Sequence, residues 1–218
     1  HKLSHDETPV IDADGDLKLI YVGELVSEIL FAIRSNKGKP EVIVKHRSEI
    51  KVSQLLSLLE SYKAQYQDSG VIPSINNTFE LNLFNTFRCY MDIASHFPVK
   101  FIEHTDPRGS FVEIIRLGVG GQVSFSTTVP GITRGNHYHT RKIERFAVIK
   151  GKALIQLRKI GTDEVLDFYL DGNEPAYVDM PIWYTHNIKN IGDEVLYTNF
   201  WINEFYDPND PDTYFENV

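Results

Sequence analysis

The sequence predicts an α+β protein, with a small N-terminal helical/α-β segment followed by an all-β barrel. Three observations predict it. Up to residue 93 the apolar residues recur mostly at helical spacing; from residue 99 the chain breaks into short β-rich runs; and Gly or Pro turn signals fall between most of those runs. The texture changes over residues 94–98. That change divides a helical segment, residues 1–93, from a β unit, residues 97–218.

Residues 1–16 are polar and acidic and read as a loosely packed lead-in. Residues 17–22 (Leu-Lys-Leu-Ile-Tyr-Val) form a strand candidate. Leu25, Val26, Ile29, Leu30 and Ile33 then make the stripe of an amphipathic helix over 23–34, which Asn36-Lys37-Gly38-Lys39-Pro40 stops. A second short strand is expected at 41–45. A helix over 53–66 turns Leu55, Leu56, Leu58, Leu59 and Tyr62 inward, and Gly70 and Pro73 end it. Another runs from about 78 to 91 with Phe79, Leu83, Phe84, Phe87, Tyr90 and Met91 on one face, and Asn77 with Glu80 resembles a capping box at its start. These faces read as core. The segment shows no Gly-rich phosphate loop after a strand and no Tyr-x3-Lys pair, so no NADPH site is expected in it.

The β runs are expected at 99–103, 110–117, 122–129, 136–139, 145–150, 153–160, 165–170, 176–179, 184–189 and 195–201, the pattern of a sandwich or barrel. The stretch from Asp207 to Tyr214 reads as an exposed tail.

Composition narrows the function. The 218 residues suffice for real cores, and 42% hydrophobic with 24% charged residues is ordinary for a soluble globular protein. A net charge of −8 argues against a nucleic-acid binder, although a local Arg cluster can still hold an anionic ligand. The single Cys89 excludes an intramolecular disulfide and fits a reducing compartment. No 18-residue apolar run or signal peptide is visible, so no membrane contact is expected and the cytoplasm is the expected location. The chain starts at His1 rather than Met, which suggests a fragment or a processed start.

The chemistry concentrates at residues 131–151. His137 and His139 are two apart, so on a strand both imidazoles face the same way. Glu144 follows a short polar break, from which a returning strand can bring its carboxylate beside them. His186 enters another strand after Pro181 and Trp183. Three imidazoles and one carboxylate converging inside a barrel would suit zinc, or iron, nickel or manganese with open positions. Arg134 stands just before the ligand strand and is suited to a diphosphate.

Gly131, His137, His139, Glu144 and Gly151, then Pro181, His186 and Asn190, resemble the two signature motifs of the cupin superfamily, a jelly-roll barrel with metal at its centre. Trp183 stands where a Gly is usual, so a differently shaped barrel mouth is expected there. The series Asp106, Arg108, Gly109, Phe111, Glu113, Gln122, Ser124, Arg134, Gly135, His137, Tyr138 and Tyr197 resembles the cupin epimerases of 4-keto-6-deoxyhexose nucleotides. That resemblance implies His137 as general base, Tyr197 as general acid, and Arg108, Glu113, Gln122 and Arg134 as substrate contacts. The whole chain is similar to the C-terminal part of the bifunctional capsular-polysaccharide UDP-sugar reductase/epimerases, which join an NADPH-dependent reductase to a zinc cupin. By that resemblance residues 1–90 are the distal end of the reductase domain.

A nitrogen bound to metal cannot also accept a proton, so His137 is assigned to the metal, leaving Tyr197, His104 and Tyr138 for proton transfer. The resemblance implies C3 epimerisation of a UDP-4-keto-2-acetamido-2,6-dideoxyhexose, with a divalent metal, zinc first, as cofactor and a homodimer as the assembly. Two alternatives stand beside it: a non-catalytic sugar-nucleotide-binding or dimerisation module, and an iron cupin dioxygenase.

Overall fold

The computed structural model describes residues 1–35, 41–107 and 109–218. The expected helix stop at 36–40 and the expected substrate contact Arg108 lie outside the described residues. The chain runs β1 (Asp16–Leu19), α1 (Val22–Ser35), β2 (Ser48–Lys51), α2 (Val52–Tyr62), a π-helical turn (Lys63–Gln67), α3 (Thr78–Cys89) and α4 (Ile93–His96). Then come β3 (Val99–Lys100), β4 (Glu103–Asp106), β5 (Gly109–Val112), β6 (Gln122–Thr128), β7 (Thr133–Tyr138), β8 (Glu144–Lys150), β9 (Lys152–Lys159), β10 (Val165–Asp171), β11 (Ala176–Met180), β12 (Tyr184–Asn190), β13 (Leu196–Ile202) and β14 (Tyr214–Phe215).

Local sequence explains most boundaries. The Glu24 carboxylate accepts the Tyr21 N–H at 3.1 Å, which starts α1 while the expected strand is still running and cuts β1 short. The strand expected at 41–45 does not form there, and Ile43 is 82% exposed. Strand pairing falls instead on β2, where Ile50 lies opposite Leu17 and alternation matches on both sides. Asn77 accepts the Glu80 N–H at 2.9 Å as expected, but the Glu80 carboxylate reaches back to the Asn76 N–H rather than that of Asn77. The capping box is displaced by one residue.

Two antiparallel five-stranded sheets, ordered β10-β9-β12-β7-β14 and β3-β11-β8-β13-β6, make the jelly roll. Apart from the β9–β10 hairpin, consecutive strands from β7 to β14 alternate between the sheets, and the inner faces of both are filled by alternate residues. Val148, Ile155, Leu157, Ile188 and Leu196 are buried in this core. The run expected at 110–117 stops at Val112; beyond it the chain lies along residue 72, where Arg116 accepts the Ile72 N–H and the Ile72 carbonyl accepts the Gly118 N–H. Residues 207–216 are not a free tail. Asp212 is only 2% exposed and β14 pairs with β7, because the Asp212 carboxylate has backbone donors to meet in the barrel.

The helices share a core with the barrel rather than standing off it. Tyr62, Tyr66, Phe84 and Phe87 belong to one buried cluster with Tyr177, Met180 and the strand residues. A polar network crosses this contact. Arg145 of β8 forms a bidentate pair with Asp179 of β11 at 2.7 and 2.9 Å, and Tyr66 donates to the same carboxylate at 2.7 Å. Arg88 of α3 donates to the Tyr66 oxygen and to the Met180 carbonyl, and Asn85 donates to the Arg141 carbonyl. The Arg145 guanidinium also lies 3.7 Å from the centre of the Tyr177 ring. Arg145 and Asp179 are thus matched by each other and by neutral partners, the condition under which a buried pair is tolerated, while Arg88 is held by the neutral oxygens of Tyr66, Asn85 and Met180.

Asp179→Asn leaves Arg145 charged in a dry site. We expect a loss of about 3–5 kcal/mol in urea unfolding, and a loss under 1 kcal/mol, the range of an exposed pair, would count against the network's role.

Candidate metal centre

Four donors meet at one end of the barrel. His137 lies on β7, His139 directly after it, Glu144 opens β8, and His186 lies on β12 opposite His137 in the strand register. One ligand atom from each falls within 4.8 Å of the other three. The His139 Nε2 is 3.1 Å from the Glu144 carboxylate, and the His186 Nε2 is 3.2 Å from the same oxygen.

The local backbone is shaped to bring β7 and β12 together. After His186↔His137 the register jumps to Asn187↔Gly135, so Asn136 is bulged out with φ +61. Gly135 has φ +103, and a Cβ there would sit 2.8 Å from the His186 carbonyl oxygen. Only glycine fits both the angle and the approach. Trp183 keeps a left-handed backbone, φ +61, at the position where the motif usually has Gly, held by its N–H to the His139 carbonyl and by its own carbonyl to the Ile160 N–H.

The electrostatics suit a cation. Burial alone would raise the Glu144 carboxyl, but His139 and His186 beside it hold it well below the usual carboxylate range. Burial first, and the neighbouring His186 in the same sense, lower His137 to about 4, so this imidazole is neutral near pH 7. His139 goes the other way: burial lowers it, yet the hydrogen bond to Glu144 prevails and raises it. The buried His186 Nε2 has close neighbours but no hydrogen bond, a lone pair aimed into the cluster. Three imidazoles, one carboxylate and an orphaned buried nitrogen fit a divalent ion of the zinc or iron type.

A cavity of about 310 Å³ opens beside the cluster. His137 and Glu144 lie on its wall together with two of the expected substrate contacts, Gln122 and Arg134, and Phe146 and Phe200 form apolar surface. Other expected site residues are placed elsewhere. Tyr138 alternates to the outer face of β7, stacked between Trp183 and Tyr214 at 5.5 and 5.2 Å. His104 and Glu113 line a separate cavity near Tyr177, because the β4–β5 hairpin belongs to neither large sheet, and Glu113 pairs with Arg116 at 2.9 Å. Tyr197 sits beside Lys150, five positions along β13 from Ile202, the residue opposite Glu144. At about 3.3 Å per residue that is roughly 16 Å away.

Two residues of the site had no sequence signal strong enough to find them. Tyr206, beyond β13, lines the cavity, and its N–H donates to the Gln122 side chain at 3.2 Å. Asn203 accepts the Ile143 N–H next to Glu144.

The sequence pattern of the family described as polysaccharide biosynthesis C-terminal domain matches residues 104–214. Over 204 residues, 93% of the chain, it is 29% identical to a UDP-2-acetamido-2,6-beta-L-arabino-hexul-4-ose reductase of Pseudomonas aeruginosa and covers 54% of that protein. It is 27% identical over 123 residues, 52% of the chain and 82% of the relative, to the spore coat polysaccharide biosynthesis protein SpsL of Bacillus subtilis. Among solved structures, the capsular polysaccharide assembling protein CapF of Staphylococcus aureus is 37% identical, with the whole chain and 59% of CapF aligned, at a TM-score of 0.46. The chain therefore spans little more than half the length of the P. aeruginosa and S. aureus relatives.

The opposed imidazole shifts predict a pH signature in metal-free protein. The lowered pKa of His137 means that the unfolded chain binds this proton first, so its contribution to stability falls as pH drops from about 6.5 to about 4. His139, raised, contributes stability that is present at low pH and lost as pH rises through its folded value. Urea unfolding across pH 4–7 should therefore show a shallower acid decline in His137→Gln than in the parent protein; identical declines would contradict the His137 assignment.

Proposed function

Since the chain belongs to the polysaccharide biosynthesis C-terminal domain family, we propose that it acts in making polysaccharide precursors, as the part that epimerises C3 of a UDP-4-keto-2-acetamido-2,6-dideoxyhexose. The single observation that carries this reading is that two members of the four-donor cluster, His137 and Glu144, line one cavity together with Arg134. A carbonyl at C4 makes the neighbouring C3 hydrogen acidic, and its removal and return from the other face need acid–base groups on both sides of the ring.

In this reading His137, His139, Glu144 and His186 hold zinc. Bound there, the ion would supply Lewis-acid stabilisation of negative charge developing on the sugar or would brace the four residues. Arg134 pairs with the diphosphate, and Gln122 orients the sugar at the mouth. Phe146, Phe200 and Ile188 present an apolar wall that excludes water from the developing charge. Proton transfer on one side of the ring falls to Tyr206, the only phenol among the described residues on the cavity wall, in place of Tyr197, His104 and Tyr138. A homodimer is supported by the unpaired edge of β6, where Val123 and Phe125 are 57% and 69% exposed.

A second reading, a sugar-nucleotide-binding module without chemistry, is favoured by the placement of Tyr138, His104 and Tyr197 away from the cavity. Hydride transfer is assigned to neither reading. Among the described residues no helix is long and apolar enough to cross a membrane.

Zinc-loaded protein incubated with the UDP-4-keto sugar in deuterated water should place deuterium at C3, read by NMR. Tyr206→Phe should slow that exchange by about 100-fold or more. Arg134→Ala should raise KM by roughly 10- to 100-fold through loss of a charge-assisted contact. Ligand-induced stabilisation without deuterium at C3 would establish the binding module instead.

A further inference from the structure

The residues after β13 hold an arrangement that the proposed reaction does not use. Asp212 is 2% exposed and lies in the left-handed region at φ +40. Its carboxylate enters the turn that joins His139 to Glu144. One oxygen accepts the Arg141 and Lys142 N–H groups, each at 3.0 Å; the other accepts the Thr140 N–H at 3.0 Å and the Thr140 hydroxyl at 2.6 Å. The Lys142 ammonium donates to the adjacent Pro211 carbonyl at 2.6 Å.

The main chain of the same residue meets a ligand directly. The Asp212 carbonyl oxygen lies 2.5 Å from His139 Nδ1. A carbonyl can only accept, so Nδ1 must carry a proton, which leaves Nε2, the nitrogen facing Glu144, as the atom available to a metal. Beyond Asp212, Phe215 pairs with His137, and the Glu216 carbonyl accepts the hydroxyl of Thr185, the neighbour of His186. One short segment thus touches all three stretches that bear ligands.

We propose that Asp212 is a positioning residue for the metal centre. Its carbonyl fixes the tautomer of His139, and its carboxylate fixes the turn that sets the distance between His139 and Glu144. A buried carboxylate in a left-handed backbone is an unfavourable choice for packing alone, whereas both of its polar groups are fully used on this turn. The inference rests on His137, His139, Glu144 and His186 being metal ligands.

The test uses zinc and cobalt(II) with the full chain. Competition against a chromophoric chelator should show metal held about 10- to 100-fold more weakly by Asp212→Ala and less weakened by Asp212→Asn, which retains one carbonyl acceptor. The gain in thermal midpoint on adding zinc should shrink in step. Nitrogen-15 spectra of the zinc-loaded parent protein should show His139 protonated at Nδ1 and coordinated through Nε2, a readout that needs no variant to fold. Affinity within twofold of the parent, with equal losses of thermal midpoint in loaded and metal-free forms, would make Asp212 merely structural. A His139 protonated at Nε2 would also overturn the proposal. If the parent chain takes up neither metal, the ligand assignment itself fails and this inference falls with it.

Discussion

The structure depends on keeping one carboxylate charged where there is almost no water. Glu144 stands at the end of β8 with two imidazoles closer than 3.5 Å to a single oxygen. Desolvation opposes its ionisation and the imidazoles favour it, and the second effect prevails. That balance requires β7, β8 and β12 to present residues to one point although they belong to two sheets. The bulge at Asn136, the glycine at 135 and the left-handed Trp183 are the local distortions that make the three strands meet.

The helical segment takes part in that requirement. Arg145 follows the candidate ligand Glu144 directly in sequence, and its partner Asp179 shares Tyr66 and, through it, Arg88 with the helices. Arg88 holds the Met180 carbonyl at the start of the loop leading to His186, while Asn85 holds the Arg141 carbonyl in the turn between His139 and Glu144. Removing the helices would therefore expose apolar side chains and also release two backbone carbonyls that fix ligand-bearing loops.

Much of this was legible in the sequence, for reasons that differ by element. The closeness of His137 and His139 was visible because side chains two apart on a strand share a face, a purely local rule. Helices α2 and α3 followed from the spacing of Leu55, Leu59, Phe84 and Phe87. Long-range pairing was not local information. Nothing at residues 41–45 distinguishes them as a strand from Ser48–Lys51 until β1 is there to select its partner. The same limit hid Asp212, whose Pro-Asp-Thr setting looks like any exposed turn until the Thr140 to Lys142 amides are placed against it. Tyr138 differs for the opposite reason: assigning His137 to the metal leaves it for proton transfer, while simple alternation next to His137 already puts its ring on the other face.

The pairing of His186 with His137 across β12 and β7 has a consequence for how the barrel closes. Strand side chains alternate, so slipping β12 by one residue would turn His186 outward and offer Thr185 or Asn187 in its place. Apolar residues at the neighbouring positions could still find partial burial in such a slipped sheet. The four-donor cluster would lose His186. A barrel closed in the wrong alignment would thus break up the His137, His139, Glu144 and His186 cluster, so that cluster marks the alignment more sharply than hydrophobic packing alone.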